Sequence, residues 1–168
     1  MAKKKSDAKL ILNFVLLVLS AVTLVSLFVN MVGSTVKVLG WTASGTDLIG
    51  SALAGELKGL EGGAASLYVL GAIEEHAFVV SAFQWCYIVA MVAAAACFVF
   101  TVLECLHIRL TIFNKLCALV LAVAALATII FGFVVAGAIG EYGAVGIGTF
   151  LLVAGIAYSV LYFVKERE

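Results

Sequence analysis

The chain has 168 residues, 65% of them hydrophobic and 12% charged, with ten basic and ten acidic side chains and no proline. Ordinary globular chains are about 45–50% apolar and about 25% charged, so this much apolar surface has no interior to hide in and must face lipid. The same figures exclude a disordered chain and a nucleic-acid binder, which needs a basic stripe to neutralise phosphates.

A helix needs about 20 mostly apolar residues to cross the hydrocarbon of a bilayer. Four stretches qualify, at about 10–32, 77–103, 116–139 and 145–164. They predict an all-α membrane protein, a single integral membrane domain over 1–168 folded as an antiparallel four-transmembrane-helix bundle. The absent proline favours uninterrupted helices. The first span follows Lys3, Lys4 and Lys5 and is too long for a signal-peptide core, so it is expected to stay uncleaved. It carries a polar stripe, Asn13, Ser20, Thr23, Ser26 and Asn30, on less than half of the helix circumference. That stripe is expected to face the interior and to hydrogen-bond between helices.

Between the first two spans lies a loop of about 33–76, far longer than the other connections. Thr35–Leu39 alternates as a short strand does, and Ser44-Gly45-Thr46-Asp47 leads into a short capped helix through Leu53. Ser66–Leu70 reads as a second strand pairing with the first, which gives a small β-containing extracellular loop between helices 1 and 2. Trp41 and Tyr68 suit a membrane–water interface and, with Asp47, are the candidate partner-binding residues. Glu74-Glu75-His76 directly precedes the second span, where carboxylates are expected to cap and solvate the positive end of a helix.

Lipid gives helices no hydrophobic push toward one another, so small residues that let backbones approach mark the contacts. These are Ala90 and Ala94 in the second span, Gly132, Ala136 and Gly140 along the third, and Gly148, Gly155 and Ser159 in the fourth. The spacing suits packing within the chain and a seam with a second copy equally well. The four cysteines, Cys86, Cys97, Cys105 and Cys117, include no C-x-x-C pair and read as apolar thiols. Cys105, His107 and Cys117 with Glu104 form a loose group at one membrane edge, too sparse for a zinc motif.

Basic residues stay on the cytoplasmic side. Lys3, Lys4, Lys5, Lys9, Arg109, Lys115, Lys165 and Arg167 fall on one side, whereas the long loop holds Lys37 and Lys58 against five carboxylates. Both termini are therefore expected in the cytoplasm, the 33–76 loop outside, and the protein in the plasma membrane. No ionisable group sits in the middle of a span, where coupled carriers need one. No Ser-His-Asp set, phosphate-binding glycine loop or H-E-x-x-H occurs, so neither enzyme activity, cofactor nor metal is expected.

This plan resembles the claudin-type tetraspan proteins at the level of topology, with both termini inside and a β-bearing first outside loop. The loop matches that family's Gly-Leu-Trp unit only in Gly40-Trp41 and lacks its cysteine pair, so the resemblance implies architecture and no functional residue. The segment Ser44–Ile49 and Gly146-x-Gly148 also look like uncharacterised bacterial four-helix membrane proteins. The expected role is a non-enzymatic structural, interaction or accessory subunit acting through the outside loop and the small-residue helix faces. Its partners would be the lipid bilayer and other membrane proteins or a second copy. The alternative is an oligomeric pore or transport-associated subunit, with the stripe of the first span lining a path.

Overall fold

The computed structural model describes residues 2–34, 42–44, 64–106, 108, 110–140 and 143–165. In chain order the elements are α1 (Ala2–Ser26), β1 (Asn30–Ser34), β2 (Thr42–Ser44), α2 (Ala64–Glu75), α3 (Ala77–Cys105), α4 (Thr111–Ala138), β3 (Gly143–Val145), α5 (Ile147–Leu151) and α6 (Val153–Lys165). Among the described residues, four helical stretches are long and apolar enough to cross a membrane: Lys9–Ser26, Ala77–Cys105, Thr111–Ala138 and Ile147–Lys165.

These stretches pack as a ring in which α1 lies against α3, α3 against α4, α4 against α6, and α6 back against α1. Small side chains set the approach. Ala90, Ala94, Ala118 and Ala125 are fully buried. A Cβ on Gly132 would stand 3.3 Å from Phe83 and 3.6 Å from Thr149, and one on Gly155 would stand 2.9 Å from Thr23. Leu16, Leu27, Leu121, Tyr158 and Tyr162 fill what remains of the core. The large apolar side chains left over point outward on every span, among them Leu10, Phe14, Trp85, Val92, Ile112, Val123, Phe150 and Val160. In water that surface would be prohibitive, at roughly 25 cal/mol for each Å² of apolar area.

The first span is shorter than its hydropathy implies. Its helix ends at Ser26, and the chain turns through Leu27–Val29 into β1, so Met31 and Val32 belong to a sheet. The Ser26 hydroxyl bonds back to the Thr23 carbonyl at 2.6 Å, and the Leu27 carbonyl, one of those a helix end leaves open, accepts the Tyr87 hydroxyl at 2.9 Å. The sheet has the order β2-β1-β3 with both pairings antiparallel. Its third strand, Gly143–Val145, comes from the connection before the last span. Gly143 permits this, because a Cβ there would run into the Ala136 carbonyl at the end of α4.

Ser66–Leu70 is not a strand: it lies within α2. A five-residue apolar run fits strand or helix equally, and here it extends into a twelve-residue helix, Ala64–Glu75. The other strand expected there, Thr35–Leu39, lies outside the described residues, as does most of the short helix expected through Leu53. The glutamates are also placed differently. Glu74 and Glu75 close α2 instead of opening α3, and His76 between the two helices makes no side-chain cap. Its Nδ1–H donates instead to the Ala72 carbonyl at 3.0 Å.

The last span is interrupted. Between α5 and α6 the Gly155 N–H reaches back only three residues, to the Leu152 carbonyl at 2.9 Å, a tighter turn that needs no proline.

Candidate functional site

One end of the bundle holds a cluster of polar side chains from three helices. Thr101 and Glu104 come from the last turns of α3, Asn114 from the first turn of α4, and Tyr158, Tyr162 and Lys165 from α6. Thr101 and Glu104 are three residues apart, and Tyr158, Tyr162 and Lys165 are spaced by four and three, so each set lines one helix face. Asn114, Tyr158 and Tyr162 are fully buried, and the Glu104 and Lys165 side chains are 10% and 17% exposed.

The carboxylate organises the rest. Glu104 Oε1 accepts the Asn114 Nδ2–H at 3.1 Å and the Tyr162 hydroxyl, while Oε2 takes the Lys165 ammonium at 3.0 Å. A carboxylate can only accept, so the Asn114 amide must turn its NH₂ toward Glu104 and its oxygen away. That oxygen receives the Tyr158 hydroxyl at 2.9 Å. With its proton given to Asn114, Tyr158 can only accept from Thr101, 2.8 Å away. The Thr101 proton is thus shared between Tyr158 and the Cys97 carbonyl at 2.7 Å. One negative charge sets the direction of hydrogen bonds through three helices. Lys165 also lies 5.4 Å from the Tyr162 ring centroid, and the Tyr158 and Tyr162 rings stack at 5.9 Å, which adds cation–π and aromatic attraction.

Chemically this arrangement is a fastener. The carboxylate is matched by one cation and two neutral donors, the pairing that makes a buried charge tolerable. It links α3 and α6, which face each other across the ring, through its centre.

The stripe on α1 behaves otherwise than expected. Ser20, Thr23 and Ser26 are fully buried, yet their hydroxyls bond carbonyls of their own helix, at Leu17, Leu19 and Thr23. Such back-bonding satisfies a hydroxyl without any neighbour. The stripe contributes shape, as where Thr23 meets Gly155. Asn13 Oδ1 is buried without a hydrogen-bond partner.

Of the candidate partner-binding residues, Trp41 and Asp47 lie outside the described residues. Tyr68 is half exposed on α2, its hydroxyl close over Gly140. Gly140 itself is exposed and has φ +73°, the left-handed geometry that ends a helix; it terminates α4 and is not a contact between spans. Gly132, Gly148 and Gly155 are buried in the bundle, as are Ala90, Ala94, Ala136 and Ser159. The Ser159 hydroxyl reaches across to the Ala118 carbonyl at 2.7 Å. Cys97 is buried and Cys105 exposed. His107 lies outside the described residues, and among those residues no group of three His, Cys, Asp or Glu is placed to hold a metal.

Comparison with protein families, with curated proteins and with solved structures finds no match to this chain. The polar cluster was missed in sequence because Glu104 and Lys165 are 61 residues apart and each reads as an ordinary span-end charge. The spacing of Tyr158, Tyr162 and Lys165 was the available signal.

Proposed function

We propose that this chain is a multi-pass plasma-membrane protein of four antiparallel spans, with both termini cytoplasmic. Its role is that of a non-enzymatic structural or accessory subunit, holding the 33–76 loop outside for engagement with other membrane proteins or a second copy. The observation that carries this reading is the contrast between surface and interior. Large apolar side chains face outward on all four spans, while the interior is packed with alanines, glycines, leucines and tyrosines and closed at one end by the Glu104 cluster. A scaffold needs such an interior; a carrier needs a hydrated path. The stripe that would line a path directs its serine and threonine hydroxyls into its own helix, which weighs against the pore alternative.

The test is in-membrane crosslinking of the full chain, with and without residues 35–63 replaced by a flexible linker of equal length. Loss of specific partners in the replaced chain is the expected outcome. An unchanged partner set refutes the role of the loop. Solute or ion flux through purified protein in liposomes would refute the scaffold reading as a whole.

A further inference from the structure

Hydrogen bonds between elements fix heights along the bundle, and heights fix where lipid can lie. Glu104, Asn114 and Lys165 are joined, so α3, α4 and α6 share one level at that end. Tyr87 stands about 26 Å from Glu104 along α3, and its hydroxyl bonds the Leu27 carbonyl, just past the end of α1. Along the last span Gly146 is about 29 Å from Lys165, and its N–H bonds the Met31 carbonyl in β1. Gly132 is about 27 Å from Asn114 along α4 and faces Thr149, whose hydroxyl reaches the same Met31 carbonyl. Three routes agree: the sheet begins about 26–29 Å from the Glu104 cluster.

Hydrocarbon ends at that level. The chain there leaves its helix through residues 27–29 with Phe28 half exposed, and non-helical backbone does not face lipid tails. The outward side chains change at the same height. Nearer the cluster they are large and apolar, as far as Trp85 on α3 and Val134 on α4, about 29 and 30 Å from Glu104 and Asn114. Farther out, the exposed residues of the two helices are Ala77, Phe78, Ser81 and Gly137, and α2 presents Glu74 and Glu75. Trp85, 66% exposed, stands at the boundary, where an aromatic ring with a polar N–H settles. The interval matches a hydrocarbon core of about 30 Å, whereas α3 as a whole, 29 residues long, rises about 43 Å.

We propose that lipid hydrocarbon meets this protein in a belt from Glu104 to Trp85, about 29 Å high, with the sheet at the outer interface and residues 77–84 standing outside beside α2. The proposal rests on the membrane reading above and narrows it. The second span enters hydrocarbon about 12 Å later than its hydropathy implies. The outside face thereby gains the sheet, two turns of α3 and the exposed ring of Phe78 as surface for a partner, in addition to the loop.

Tryptophan fluorescence reads the belt from three outward positions on α3, Phe78, Trp85 and Val99. The chain has two tryptophans, so Trp41→Phe leaves Trp85 as the single reporter. Adding Trp85→Phe with Phe78→Trp or with Val99→Trp moves the reporter. Each full chain is placed in phosphatidylcholine vesicles brominated either near the glycerol backbone or near the chain ends. Trp85 is expected to be quenched more by the shallow bromines. The Val99→Trp indole, about 8 Å inside the belt from Glu104, is quenched more by the deep ones, and the Phe78→Trp indole by neither. A Trp85 as deep as the Val99→Trp indole overturns the proposal, because it places hydrocarbon along the start of α3. Quenching of the Phe78→Trp indole by either lipid overturns it as well. Failure of all three proteins to float with the vesicles, with every indole quenched by aqueous acrylamide, would instead refute the membrane reading itself.

Discussion

Replacing Glu104 removes the acceptor of three donors at once. In Glu104→Ala the Lys165 ammonium, the Asn114 NH₂ and the Tyr162 hydroxyl all lose the carboxylate as an acceptor, in surroundings where the Glu104 and Lys165 side chains are 10% and 17% exposed. Breaking a buried ion pair by removing one member costs about 3–5 kcal/mol; the partial access of Lys165 to solvent places this case near 3 kcal/mol. Glu104→Gln keeps an oxygen to accept from Asn114 or Tyr162 and loses only the charge, for about 1–2 kcal/mol. Lys165→Met leaves Glu104 with two neutral donors and costs about 2 kcal/mol. The double change removes both charges, so its cost falls short of the sum by about 1 kcal/mol or more. Unfolding in mixed micelles titrated with SDS and followed by far-ultraviolet circular dichroism measures all four proteins. An Ala variant within about 0.5 kcal/mol of the parent, the range of inert surface changes, refutes the account of Glu104 as the organising charge. So do strictly additive single costs.

Gly155→Ala drives a methyl to 2.9 Å from the Thr23 side chain and should lower stability by about 1–3 kcal/mol. Gly137→Ala, with nothing within 4 Å, should raise it by up to about 1 kcal/mol; the same unfolding titration compares them. Asn13→Leu removes a buried oxygen with no donor and should be neutral or stabilising by about 1 kcal/mol, read as a shift in Tm. Gly140→Ala forces a side chain into a left-handed residue beneath Tyr68, and a loss of about 1–2 kcal/mol is expected. If both termini are cytoplasmic, Cys105, exposed at the end of α3, reacts with a membrane-impermeant maleimide in inverted vesicles and not in intact cells.

Hydropathy made the four long helices legible, because a run of about 20 apolar residues has few other uses. Their ends were less so. Met31 and Val32 are as apolar as the span before them, and what draws them into a sheet is the pairing of Val32 with Ala43 and Val145, Met31 standing at the irregularity beside it, which no local pattern announces. Ser66–Leu70 misled because a short apolar run carries no period of its own. The helix-packing glycines were visible through spacing, except that Gly140 looked like the end of a series and is a terminator. The polar cluster was legible only in parts. Glu104 was visible as a membrane-edge charge, but hydropathy scores each residue against its neighbours in sequence, and its neighbours here are Asn114, Tyr162 and Lys165 from other helices.

The Met31 carbonyl has a consequence for how the chain is made. It accepts the Gly146 N–H at 2.6 Å and the Thr149 hydroxyl at 2.8 Å, the latter from 118 residues downstream. β1 likewise gains β3 only when residues 143–145 arrive. At synthesis rates of about 5–20 residues per second, the first span therefore waits several seconds with that carbonyl and a strand edge lacking these partners. Chains that stop before Gly143 keep an open edge for good. The sheet that closes this end of the bundle is thus completed only by the segment that opens its last span.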